Sequence, residues 1–148
     1  VDYYSNIIPQ RSAMNQGPWG RMEDAVRALV LRRAVLPPDR APVWVVTGPL
    51  YERDMPRLPN ADEPHTVPSA LWQIVAVQET GGGVTAVAFL FDQDTPRADL
   101  PLAHVVAIDE VERRSGLDLF RLLPDAVETA LERTADVEAA RRLLFPTE

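Results

Sequence analysis

Ala70-Leu71-Trp72-Gln73-Ile74-Val75-Ala76-Val77-Gln78, then Gly81-Gly82-Gly83, then Val84-Thr85-Ala86-Val87-Ala88-Phe89-Leu90-Phe91 is the stretch whose reading decides the fold. Both flanking runs are of strand length and rich in β-branched and aromatic residues, which suit a pleated surface. Three glycines between them supply the positive-φ positions that a tight reversal needs. The reading is an antiparallel hairpin of Ala70–Gln78 with Val84–Phe91. Because these glycines join two strands and precede no helix, they are not a phosphate-cradling loop.

Working outward, Val43-Trp44-Val45-Val46 reads as a short buried strand stopped by Gly48-Pro49. Downstream, His104–Ile108 reads as a strand that runs into a helix from Glu110 to Ser115. Asp109 and Glu112 resemble a capping box for that helix, and Gly116 supplies its stop. Towards the N-terminus, Asn15-Gln16-Gly17-Pro18-Trp19 leads into a helix that continues to about Arg33. Met22, Val26, Leu29 and Val30 recur at helical spacing there, with Pro18 in the first turn and Pro37-Pro38 beyond the end. Pro124–Leu144 is amphipathic and reads as helix, whereas residues 1–12 and 51–68 read as loops. The sum is one α+β domain, an antiparallel sheet flanked by helices.

Composition narrows the class further. A length of 148 residues fits a single core, and 46% hydrophobic with 25% charged residues is globular composition. No apolar run approaches the roughly 18 residues of a membrane span, so no membrane is expected as a partner. Without cysteine there are no disulfides and no thiolate metal ligands. All 15 basic residues are Arg, and the net charge of −7 argues against a polyanion binder that relies on its whole-molecule field. A local basic cleft remains compatible with it.

Asn15, Glu23 and Arg27 are the candidate polar group. Glu23 and Arg27 stand four apart on one helix face, and Asn15 lies two turns before Glu23, so a hydrated cation could bridge Asn15 and Glu23. Mg²⁺ favours such sparse sites because it keeps several of its waters. Viewed alone, an Asn at a helix start is usually a cap, and Glu–Arg at i,i+4 is usually a surface pair. His65, in a polar loop, and His104, at a strand start, are the only histidines, and neither falls in a recognisable catalytic pattern.

A family resemblance then sharpens this reading. Tyr4-Ser5-Asn6-Ile7-Ile8-Pro9-Gln10, Met14-Asn15-Gln16-Gly17-Pro18-Trp19, and Arg21-Met22-Glu23 with Arg27 resemble the core motifs of the DNA/RNA non-specific endonucleases of the Serratia type. Thr47-Gly48-Pro49-Leu50-Tyr51-Glu52-Arg53-Asp54-Met55, His65-Thr66-Val67-Pro68-Ser69-Ala70, Ala88–Gln93, Ile108–Glu112, Arg114–Leu117 and Leu123-Pro124-Asp125 extend the likeness from residue 3 to about residue 132. Mitochondrial endonuclease G is a more distant relative. The resemblance implies a ββα-metal nuclease fold, incomplete at the N-terminus, with residues 1–148 as the C-terminal part of a single nuclease domain. It implies Mg²⁺, with Mn²⁺ as an alternative, held by Asn15. Glu23 then holds water around the ion, Arg27 supports the charged transition state, and Asn6 is a further polar residue near the site. DNA and RNA are the implied substrates, a homodimer is compatible with the resemblance, and the bacterial members suggest a secreted or periplasmic protein.

One departure stands out. Members of the family carry Asp-Arg-Gly-His just upstream of the Tyr-Ser-Asn segment, its histidine being the general base, and no such motif occurs in these 148 residues. Three accounts are open: a truncated sequence, a partner N-terminal fragment of the same nuclease, or an inactive relative that uses the scaffold to bind nucleic acid or protein.

Overall fold

The computed structural model describes residues 8–61 and 65–146. Within them four strands form one sheet in the order β1-β2-β3-β4, all neighbours antiparallel: β1 Val43–Leu50, β2 Ala70–Gln78, β3 Val84–Asp92 and β4 Val105–Val106. The helices are α1 Gly20–Arg33, α2 Ile108–Ser115, α3 Asp125–Glu132 and α4 Val137–Leu144.

The expected hairpin forms, in register from Ala70↔Asp92 to Gln78↔Val84. Gly81 and Gly82 take φ of 92° and 87° in its turn, which only glycine adopts freely. Alternation along the strands sends side chains to opposite faces. Leu71, Val75, Val77, Val87, Phe89 and Phe91 enter one core with Trp19, Met22 and Leu29 of the first helical region and Ala140 and Leu144 of α4. Ala70, Trp72, Ile74 and Ala88 enter a second core with Ile108 and Val111 of α2. The hairpin is therefore covered on both faces, which is why β2 reads as a nearly unbroken apolar run.

Other expectations needed correction. Among the described residues β1 is an edge strand rather than a buried one, with Trp44 and Val46 nearly half exposed, and it continues through Gly48 and Pro49. An edge tolerates a proline, since one side of the strand has no ladder to break. Gly48 is set by contact: a Cβ there would lie 2.4 Å from the Trp72 ring opposite it. On α1 the buried stripe is Met22, Ala25 and Leu29, and Val30 turns outward.

At the C-terminal end, Pro101–His104 is a 3₁₀ turn, and only Val105–Val106 pair as strand. The α2 helix begins at Ile108, so Asp109 lies inside it and the capping box does not form, although Gly116 ends the helix in the left-handed conformation as expected. The single helix expected over Pro124–Leu144 is two. Asp136 starts the second, its Oδ1 accepting the Ala139 N–H at 2.7 Å. That competition between side chain and helix backbone is what breaks the run. No helix among the described residues is long and apolar enough to cross a membrane.

Candidate active site

Of the polar group singled out in the sequence, Asn15 sits where the first helical region breaks, and Glu23 and Arg27 follow on the helix beyond it. Ser12–Met14 form one turn, Asn15–Trp19 a wider π-type turn, and α1 follows. Gly17 has non-helical angles, φ −107° and ψ −114°. Glycine is required there by the loop after β3: a Cβ on Gly17 would lie 2.7 Å from both the Cα and the carbonyl oxygen of Arg97. Pro18 follows the break, where its missing N–H costs no helical hydrogen bond. Met14 and Trp19 are buried on either side, whereas Asn15 and Gln16 are exposed. The core thus grips both ends of the break and leaves Asn15 in solvent.

The Arg97 loop is fastened to this break several times. The Arg97 guanidinium donates to Gln16 Oε1. Arg21 donates to the Arg97 carbonyl and, at 2.7 Å, to that of Asp99. Buried Gln93 accepts the Arg11 N–H and donates to the Pro9 carbonyl, both at 2.8 Å, fixing the chain that leads into the break. Arg11 also pairs with Asp94.

Glu23 and Arg27 are both exposed on α1, but they do not pair with each other as their spacing suggested. Trp19 donates its Nε1–H to Glu23 Oε1 at 3.1 Å, and Arg27 donates to Asp24 at 2.6 Å. The buried indole needs an acceptor and finds it one turn along, which turns Glu23 away from Arg27. Asn6 lies outside the described residues.

An exposed amide oxygen and an exposed carboxylate are hard donors, and so sparse a set fits a small cation that retains most of its waters. Arg27 and Arg97 add guanidinium groups that suit phosphate oxygens. Neither histidine is hydrogen-bonded to Asn15, Glu23 or Arg27 among the described residues. His104 is half-buried, 3.2 Å from Asp99 Oδ2, with its ring against Phe91. His65 is exposed and lines an open groove of about 570 Å³ with Tyr51, Arg53 and Arg57, which excludes Asn15, Glu23 and Arg27. Between groove and sheet, Arg53 holds Asp92 at 2.6 and 2.7 Å, and Arg114 holds Glu52 at 2.9 and 2.5 Å. The Arg114 hydrogen bond keeps the Glu52 carboxyl below its ordinary range.

Sequence reasoning missed Arg97, Gln16 and the Asp99–His104 pair. They belong to irregular or kinked chain, where no periodicity signals what they touch.

The described residues thus form an α+β architecture, an antiparallel sheet packed on both faces by helices, with the helix break on one of them. A chain of the crystallised EndoG/EndoGI complex shares that fold, with a TM-score of 0.57 at 22% identity over 83% of this chain and 51% of that one. The DNA/RNA non-specific endonuclease profile matches residues 2–126, and the chain belongs to that family. A nuclease of Serratia marcescens is 43% identical over 132 residues, covering 89% of this chain and 48% of that protein. The mitochondrial nuclease EXOG of Xenopus laevis is 32% identical over 157 residues, covering 94% of this chain and 39% of its own. The chain therefore spans about half or less of the length of these relatives.

Proposed function

We propose that this chain is the C-terminal part of a metal-dependent endonuclease domain that hydrolyses phosphodiester bonds of DNA and RNA without sequence specificity. The observation that carries the proposal is the exposed Asn15 at the helix break, with the exposed Glu23 and Arg27 on the helix that follows it. Family membership supports it.

Asn15 would hold Mg²⁺, or Mn²⁺ in its place, through its amide oxygen. When bound, the ion supplies Lewis-acid stabilisation of the charge that builds on the phosphate. Glu23, oriented by Trp19, positions water at the site. Arg27 releases Asp24, an exposed pair of little worth, and turns to the phosphate. The proton acceptor is the histidine of an Asp-Arg-Gly-His segment supplied from outside these 148 residues. Contacts aimed at phosphate carry no base information, which accounts for acceptance of both DNA and RNA. A secreted or periplasmic setting belongs to the same proposal and rests on likeness to the Serratia protein.

The test combines this chain with an N-terminal segment bearing that motif and supplies supercoiled plasmid or single-stranded RNA. Both substrates should be cut, chelation should stop cutting, and Asn15→Ala should slow it by about 10²-fold or more. Cleavage that survives chelation, or is confined to one kind of nucleic acid, overturns the proposal.

A further inference from the structure

We propose that Asp109, Glu112 and Glu132 form a Ca²⁺ site that clamps α2 to α3 on the sheet face opposite Asn15. Asp109 and Glu112 stand one turn apart on α2, and Glu132 is the last residue of α3. One carboxylate oxygen from each lies within 4.8 Å of the others.

Proximity of acids alone would mean little, because exposed carboxylates often cluster. Glu132 is what distinguishes this group. It is only 7% exposed, and its Oε1 is buried with no hydrogen-bond partner. A buried carboxylate oxygen left without a donor is costly, and a cation bound by the Glu132 carboxylate offsets that cost.

Nor does an arginine already neutralise the group. Among the described residues no ion pair involves Asp109, Glu112, Glu128 or Glu132. The nearby Arg113 and Arg114 are committed to Glu110 and Glu52. Glu112 Oε1 also accepts the Leu119 N–H at 2.6 Å, so a cation here would brace the α2–α3 connection too.

Ca²⁺ suits the spacing. It takes carboxylate oxygens at about 2.3–2.6 Å and accepts irregular sets, so one ion can reach three oxygens that all lie within 4.8 Å of one another. Mg²⁺ requires about 2.1 Å in a near-ideal octahedron and gives up its waters reluctantly, so three carboxylates from two helices suit it less. The site is separate from the nuclease centre. Ile108 and Val111 pack with Trp72 and Ile74, whereas Trp19 and Met22 pack with Leu71 and Val75, the alternate residues of the same strand.

The test is calorimetric titration of CaCl₂ into the chain, with thermal melts at about ten times the measured Kd. Wild type is compared with Glu132→Gln, the double variant Asp109→Asn/Glu112→Gln, and Asn15→Ala as a control on the other face. A Kd of about 10⁻⁴–10⁻³ M is expected. Binding should weaken at least about tenfold in Glu132→Gln and in the double variant, and stay unchanged in Asn15→Ala. Ca²⁺ should raise the wild-type Tm by about 3–6 °C and leave that of Glu132→Gln unmoved. Glu132→Gln removes a repelled charge and should fold without Ca²⁺, which circular dichroism checks. No binding below about 10 mM, equal binding in Glu132→Gln, or loss of binding in Asn15→Ala would each overturn the proposal.

Discussion

Trp19 donates its indole N–H to Glu23 Oε1 at 3.1 Å while its ring meets Phe91 edge-on, at 5.8 Å and 80°. One side chain thus ties an exposed carboxylate to the centre of the core. Trp19→Phe keeps most of the packing and removes the donor. We expect a stability loss of about 1–2 kcal/mol, with turnover of the assembled nuclease falling about tenfold and the half-saturating Mg²⁺ concentration rising. Val77→Ala trims the same core and serves as the comparison. Should it raise the Mg²⁺ requirement equally, Trp19 does not position Glu23.

Asn15→Ala and Glu23→Ala should cut turnover far more than they alter folding. Both residues are exposed, and Asn15 caps no helix through its side chain. Stability changes within about 0.5 kcal/mol are expected by denaturant titration. Unfolding of both variants would assign these residues to structure and remove the site.

Gly17→Ala should be harmful for a steric reason. The added methyl would lie 2.7 Å from the Arg97 backbone, which is itself fastened by Arg21. Either the break or the loop must shift, at a cost of about 1–3 kcal/mol. Gly81→Ala meets no atom within 4 Å but sits at φ 92°, so its cost comes from the backbone and should leave turnover per folded molecule unchanged. Equal turnover in the folded fractions of both variants would show that the break does not matter to the site.

The contrast between those glycines shows what the sequence can and cannot carry. Gly81-Gly82-Gly83 announced a turn because strand-like runs flank it, and that hairpin organises both cores. The pattern at Gly17 said only that a helix begins nearby. The need for glycine at the kink comes from the Arg97 backbone, 80 positions away, and no local pattern encodes that contact. Likewise Trp44-Val45-Val46 reads as core by composition, and its edge position follows from how the sheet is ordered. Asn15, Glu23 and Arg27 could be named from motif likeness, but the partners of Glu23 and Arg27 could not, because i,i+4 spacing does not say which of two acceptors a buried indole will claim.

Glu52 and Arg114 give a prediction in pH. The Arg114 hydrogen bond lowers the Glu52 carboxyl from 4.5, so the folded state releases that proton more readily than the unfolded chain. The pair's stabilisation is therefore full above the unfolded value and is lost as pH falls through the lowered folded one. The groups are partly exposed, so the effect is at most about 1 kcal/mol. Glu52→Gln should lower Tm at neutral pH and narrow its gap to wild type as the solution is acidified below about pH 4. A gap that stays constant or widens would mean that the pair contributes nothing.

The last prediction concerns residues 1–148 by themselves, which should show no measurable cleavage with Mg²⁺. Water held by Mg²⁺ is a poor nucleophile near neutral pH, so the reaction needs a positioned base. Neither histidine of the chain is placed for that role: His104 is held by Asp99 and Phe91, and His65 lines a groove that excludes Asn15 and Glu23. Lack of a positioned base typically costs about 10²–10⁴ in rate. A net charge of −7 further weakens the capture of a polyanion. Plasmid and single-stranded RNA would be incubated with this chain, with a separately made segment carrying Asp-Arg-Gly-His, and with both together. Cleavage should appear only in the mixture and vanish when the histidine of the added segment is replaced. Robust cutting by the chain alone, abolished by His65→Ala or His104→Ala, would place the general base inside these 148 residues and overturn the division of labour proposed for the two parts.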